Sequence, residues 1–263
     1  MTVSPTTPSE TFERAVEEGD RRLDQSSLEL VSTSFIAGFT VFFGLVALGI
    51  VESFVEPTLG EVATVAGALA FAPGVVFLVA GRTELFNENF ADPTAAAVER
   101  PGYSAVPSLL RLWIVTLVFN VLGGCLLAVV FAVEGALPPE SVEVLRTVAE
   151  DIVRRSPRSW FARGIVGGAL VSLLSFLLAA VRGDGSRMAV TYAVGFLLAL
   201  GPFDHVIVSV LHVVLGLLLG APIELDALGA MTVVVTAGNL VGGLGLVTVT
   251  HVTQAMGADE SEE

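Results

Sequence analysis

His205 follows Gly201-Pro202, a pair that stops a helix, in the middle of the long apolar run from Met188 to Ala221. Asp204 is placed to cap the helix that resumes. A helix N-terminus at membrane depth turns free N–H groups and a partial positive charge toward an anion. A histidine beside such a site can donate a proton, since its unperturbed pKa is near 6.5. A bare anion meets a large desolvation barrier in a low-dielectric passage, whereas its neutral acid meets a much smaller one. A histidine that protonates a weak-acid anion in transit would therefore lower the barrier. The alternative is a buried neutral histidine bonded to a neighbouring backbone carbonyl. Ser209 lies one turn beyond His205 on the same helical face, and His212 lies two turns beyond, as a second polar pore residue or a packed neutral histidine.

A second interruption comes earlier. Gly81-Arg82-Thr83-Glu84-Leu85-Phe86-Asn87-Glu88-Asn89-Phe90 follows the apolar run Val62 to Ala80, so Arg82, Glu84, Glu88 and then Asp92 arrive at or near membrane depth. Charge there costs several kcal/mol unless it is buried in protein or faces a polar cavity. Glu84 and Glu88 sit one turn apart. They can relay protons or hold the loop by binding Arg82 and backbone N–H groups, and the second role is favoured. Asp92-Pro93 reads as the start of a short half-helix running to about Arg100, with Asp92 as cap.

These segments need a scaffold, and the composition supplies one. Of 263 residues, 53% are apolar, and they fall into runs near the roughly 20 residues that span a bilayer. Six spans are expected: 33–55, 61–80 continuing to about 98, 106–132, 160–181, 188–220 interrupted at 201–205, and 227–252. Residues 31–254 then form the transmembrane domain, 1–30 a polar acidic N-terminal segment, and 255–263 an acidic C-terminal tail. In the first segment Phe12, Val16 and Leu23 form a weak apolar stripe, suited to a surface helix near a pore mouth or to a solvated leader. Residues 141–155 form one amphipathic linker helix, with Val144, Leu145, Val148 and Ile152 on one side. Pro57 is expected to start a turn after the first span, and Pro73-Gly74 to kink the second.

Net charge is −14, and all thirteen cations are arginine. Such an acidic, lysine-free chain points to a salt-loving source, where charge repulsion is screened, or to drift in a GC-rich genome. It lacks the basic footprint of a nucleic-acid binder. Cys125 is the sole cysteine, so no intrachain disulfide can form, and His205 and His212 lack zinc-ligand spacing. No metal or cofactor is expected. For a protein of the cell membrane, arginine placement favours both termini on the cytoplasmic side, although the 134–163 connection, with five arginines, runs against it.

Asn120-Val121-Leu122-Gly123-Gly124 and Asn239-Leu240-Val241-Gly242-Gly243 share one pattern. From Gly81 to Asn120 is 39 positions, and from Gly201 to Asn239 is 38. A break followed by Asn-x-x-Gly-Gly thus occurs twice. Three spans per half would make the halves enter the bilayer in opposite senses, an inverted repeat around a central passage.

The motifs Gly81-Arg82-Thr83-Glu84-Leu85-Phe86-Asn87, Gly201-Pro202-Phe203-Asp204-His205 and Gly238-Asn239-Leu240-Val241-Gly242-Gly243 resemble the formate/nitrite transporter family over about residues 30–255. The resemblance implies an aquaporin-like protomer, a homopentamer with one pore per protomer, and a central pore histidine at His205. It places apolar constrictions near Phe71, Val75, Leu85 and Phe86 on one side and Leu198 on the other. The family's loop threonine is Asn87 here, followed by Glu88, and its pore asparagine one turn after the histidine is Ser209. The expected activity is passage of small monovalent weak-acid anions, with protons, through a substrate pore shaped by His205, Asn87, Glu88 and Ser209. Rival readings are a channel for water or another neutral solute, and an intramembrane enzyme using Asp204, His205 and Ser209.

Overall fold

The computed structural model describes residues 7–99 and 106–259; the expected half-helix end at Arg100 and the tail from 260 onward lie outside the described residues. Every regular element among them is helical. Helices α1 (Pro8–Leu23), α2 (Ser27–Leu59) and α3 (Val62–Ala80) lead to the first break. A 3-10 turn, Phe86–Asn89, and α4 (Ala91–Glu99) follow it. Then come α5 (Val106–Phe131), α6 (Pro139–Val153), α7 (Pro157–Ala180), α8 (Asp184–Leu200) and α9 (Val206–Leu218). The chain continues through α10 (Leu225–Leu240), a π-helical stretch (Val241–Thr248) and α11 (Val249–Asp259).

Among the described residues, five helical stretches are long and apolar enough to cross a bilayer: α2, α3, α5, α7 and the continuous run Leu225–Gln254. The fifth span of the sequence reading is divided between α8 and α9, and α9 alone, at 13 residues, is too short to cross. Helix α2 runs straight through Pro57, whose lost N–H bond is tolerated in the final turn, and ends at Gly60. Helix α4 begins at Ala91, so Asp92 and Pro93 occupy its first turn and Asp92 is not its cap.

Small residues decide how closely these helices approach. A Cβ on Gly38 of α2 would lie 1.9 Å from the Asn120 carbonyl oxygen of α5, and one on Gly168 of α7 would lie 2.2 Å from the Asn239 carbonyl oxygen of α10. Only glycine allows either crossing. The core between them is filled by Phe42, Phe71, Phe90, Leu45, Leu78, Ile207 and Leu211, all fully buried. Helix α6 packs under α9 and α2 through Leu145, Ala149 and Ile152. Helix α1 packs on α4 and also touches α11, so the N- and C-terminal helices share one end of the bundle. One face of α5 stays bare: Leu110, Ile114, Val118, Leu122 and Leu126 form an exposed stripe at a spacing of four.

Candidate functional site

The two breaks are held by the same device. At the first, the Phe86 N–H donates to Asn120 Oδ1 (2.9 Å), and Asn120 Nδ2 donates to the Glu84 carbonyl (2.9 Å) and the Ser34 carbonyl of α2 (2.7 Å). At the second, the Val206 N–H donates to Asn239 Oδ1 (2.9 Å), and Asn239 Nδ2 donates to the carbonyls of Asp204 and of Gly164 in α7 (2.7 Å each). An amide side chain has the one acceptor and two donor hydrogens that each task requires. Each asparagine thus satisfies the first orphan N–H of a resumed helix and a carbonyl left behind by the break, where no water is at hand to do so. The repeated Asn-x-x-Gly-Gly was visible in the sequence, but its task as a clamp was not.

Charge at each break is met by arginines from other segments of the chain. Glu84 Oε1 accepts from Arg21 Nη2 (2.9 Å) and Gln25 Nε2 (3.0 Å), and Arg22 Nε lies 3.6 Å from Glu84 Oε2. Arg22, only 8% exposed, also donates to the Glu88 carbonyl (2.7 Å) and to Asn89 Oδ1 (3.3 Å), and sits 3.9 Å from Asp92. Asp204 accepts from Arg155 Nη1 (2.9 Å to Oδ1) in the turn after α6 and from Arg163 Nε (3.2 Å) in α7. Arg82 takes no part in holding Glu84: it is exposed, with a φ of 50°. The Arg21-Arg22 pair inside an acidic helix was the sequence signal for these counter-charges, and it went unread. Partial burial raises the Glu18 carboxyl, yet hydrogen bonds and charge from Arg21 and Arg22 outweigh it and leave it at about 2.

Asp204, engaged with two arginines, does not cap α9. His205 does: its Nδ1 accepts from the Ile207 N–H at 3.1 Å. Because Nδ1 serves as acceptor, the proton of the neutral ring sits on Nε2, an assignment drawn from this hydrogen bond. That Nε2 is buried and has no protein partner.

His205 lines a cavity of about 270 Å³ together with Ser209, His212, Phe71, Leu198, Arg155 and Arg163. A second, larger cavity of about 740 Å³ opens at the end bearing α1, between Arg21, Arg22, Thr83, Glu88 and Arg187. Of the four expected pore residues, His205 and Ser209 meet in the first cavity and Glu88 borders the second. Asn87 borders neither. Fully buried, it donates through Nδ2 to Asn239 Oδ1 (2.9 Å) and so ties the first break to the clamp of the second. Among the expected constriction residues, Phe71 and Leu198 wall the His205 cavity, while Val75, Leu85 and Phe86 are buried in the core away from both cavities.

His212 lines the His205 cavity and donates through Nδ1 to the Val208 carbonyl (3.1 Å). His251, half-buried, packs its ring against Phe176. Cys125 is a half-buried packing residue. No cluster of side chains able to hold a metal ion occurs among the described residues.

Comparison with known proteins places this arrangement. The family model described as Formate/nitrite transporter matches residues 9–253. The chain is 24% identical over 227 residues to Inner membrane protein YfdC of Escherichia coli (strain K12), covering 86% of this chain and 72% of that protein. It is 25% identical over 222 residues to Uncharacterized transporter YwcJ of Bacillus subtilis (strain 168), covering 83% and 86%. Among solved structures it resembles an FNT family ion channel (TM-score 0.82, 17% identity, 93% of this chain and 98% of that one). It also resembles a pentameric formate channel with formate bound (TM-score 0.71, 18% identity, 91% and 98%).

Proposed function

The chain belongs to the formate/nitrite transporter family, and from that premise we propose that it passes small monovalent weak-acid anions of the formate and nitrite kind, with protons, past His205. It is a multi-pass membrane protein and a transporter, not an enzyme. The observation that carries the anion reading is His205 itself. It caps α9 at a break, lines the cavity, and has a buried Nε2 with no partner among the described residues. A donor N–H beside a helix N-terminus is the chemistry that receives an anion. Ser209 adds a hydroxyl one turn along, and Phe71 and Leu198 keep the approach apolar.

Transfer of the Nε2 proton to the anion requires the ring to gain a proton at Nδ1, which breaks the Ile207 cap. The resting site therefore greets the anion by hydrogen bond, and proton donation follows when the cap is surrendered. Glu88 shapes the opposite vestibule. Asn87 acts on the site through Asn239.

The paired clamps and paired arginine-held carboxylates, offset by about 120 residues, support a six-span body built as two inverted three-span repeats with an aquaporin-like path. The bare apolar stripe on α5 suits lipid or a neighbouring protomer, and the pentameric neighbour supports a homopentamer with one pore per protomer. The acidic, lysine-free composition adds operation at high salt to the reading.

Flux of labelled formate or nitrite into proteoliposomes, across a pH series at two salt concentrations, tests it. His205→Phe is expected to abolish anion flux while the assembly survives. Unchanged flux with unchanged pH dependence would remove His205 from the mechanism. Osmotic swelling without weak-acid anions separates the neutral-solute alternative.

A further inference from the structure

Helix α9 carries two histidines on one cavity wall, and their hydrogen bonds fix opposite tautomers. His205 Nδ1 accepts from the Ile207 N–H, so its proton lies on Nε2. His212 Nδ1 faces the Val208 carbonyl, which can only accept, so its proton lies on Nδ1 and its Nε2 carries a bare lone pair. Both rings line the same cavity, and neither Nε2 has a protein partner. They are 1% and 6% exposed. Seven residues at 1.5 Å rise separate them by about 10.5 Å along the helix, and Ser209 stands between on the same wall. The residues of this wall thus include a buried ring donor, a hydroxyl and a buried ring acceptor.

An anion needs donors, whereas a neutral carboxylic acid has one O–H that needs an acceptor. We propose that His212 is the proton acceptor of the passage: its Nε2 takes the proton from the neutral acid within this cavity, releasing the anion there. Run in reverse, the imidazolium of His212 returns the proton to an entering anion. In the forward step the acid O–H bond breaks, an Nε2–H bond forms, and the proton then leaves to water. No other reactant is needed. The charged and titratable groups lining this cavity are Glu52 from α2, Asp151 from α6, Arg155 from the turn after it, Arg163 from α7, and Asp204 and His205 from the break. Arg155 and Arg163 are positioned to hold the anion so released, although both also serve Asp204. The proposal rests on weak-acid passage past His205.

Two measurements test it. The chain has three histidines, so protein with 15N-labelled imidazoles in lipid bilayers gives a spectrum that single substitutions assign. His205 is expected as the Nε2–H tautomer and His212 as the Nδ1–H tautomer. An Nε2–H tautomer at His212 overturns the proposal whatever the protein transports. In proteoliposomes holding a trapped pH dye, formate flux and proton delivery are read together for wild type, His212→Phe and His212→Gln. Glutamine keeps an acceptor oxygen but cannot titrate. Proton-linked flux is expected to fall by about 100-fold in both, the lower end of what a positioned proton-transfer group contributes, with a flattened pH profile. Full flux and profile in the glutamine variant would show that an acceptor suffices and would overturn the proton step. A wild type that passes no weak acid overturns the parent reading, and this one with it.

Discussion

Replacing Asn239 by alanine removes four buried hydrogen bonds at once: those from Val206 N–H and Asn87 Nδ2, and those to the Gly164 and Asp204 carbonyls. Polar bonds inside membrane proteins average about 0.6 kcal/mol each, which sets a lower figure near 2 kcal/mol. The net worth of an ordinary intramolecular hydrogen bond reaches about 1.5 kcal/mol, which sets a higher figure near 6 kcal/mol for the four. At about 2–4 °C per kcal/mol for a chain of this size, the melting midpoint of the purified assembly is expected to drop by roughly 5–20 °C. Asn120→Ala loses three bonds by the same count and is expected to cost less. Asn239→Asp keeps the shape but turns an oxygen toward two carbonyl oxygens, so it is expected to be no better than alanine. Loss of monodispersity on heating, followed by chromatography, reads the midpoint. Formate flux of the surviving fraction reads whether the His205 cap persists. A shift below about 2 °C in Asn239→Ala together with wild-type flux would refute the clamp.

His205→Asn offers Oδ1 to the same N–H and should keep the cap, whereas His205→Ala should cost about 0.5–2 kcal/mol of stability; both should lose anion flux, so matching flux losses with unequal melting points are the expected pattern. Gly168→Ala and Gly38→Ala place a Cβ against fixed backbone oxygens and should destabilise by at least about 1–3 kcal/mol, read as reduced yield of folded protein and a lower midpoint. Glu18 titrates at about 2 against an ordinary value near 4.5, so its hold on Arg21 and Arg22 is complete above that ordinary value and fades only as pH falls toward 2. Protease protection of α1 should accordingly be flat from pH 5 to 8, and Arg22→Ala should abolish it across the whole range.

How much of this was written legibly in the chain varied with the kind of force involved. Long apolar runs announce spans because length and hydropathy are local properties, and the breaks at 81–90 and 201–205 stood out because charge, glycine and proline are rare within such runs. His205 stood out within its run for the same reason, and Ser209 by its one-turn spacing from it; both line one cavity. Contacts between distant segments were not legible. Asp204 reads locally as a cap, but Arg155 and Arg163 claim its carboxylate from some 40–50 residues away, and the cap falls to His205. Glu84 reads as a partner for nearby Arg82, yet Arg21 and Arg22 reach it from some 60 residues away. Asn87 reads as a pore residue by its place in the loop, and only the position of Asn239 makes it a strut.

That strut has a mechanical consequence. Asn239 Oδ1 is shared by Val206 in the second break and Asn87 in the first. A carrier that rocks one half against the other would have to rupture this junction in every cycle, with no solvent nearby to heal the severed ends. The shared amide oxygen joins the two breaks into one frame, so any motion that parts them must first open a fully buried hydrogen bond.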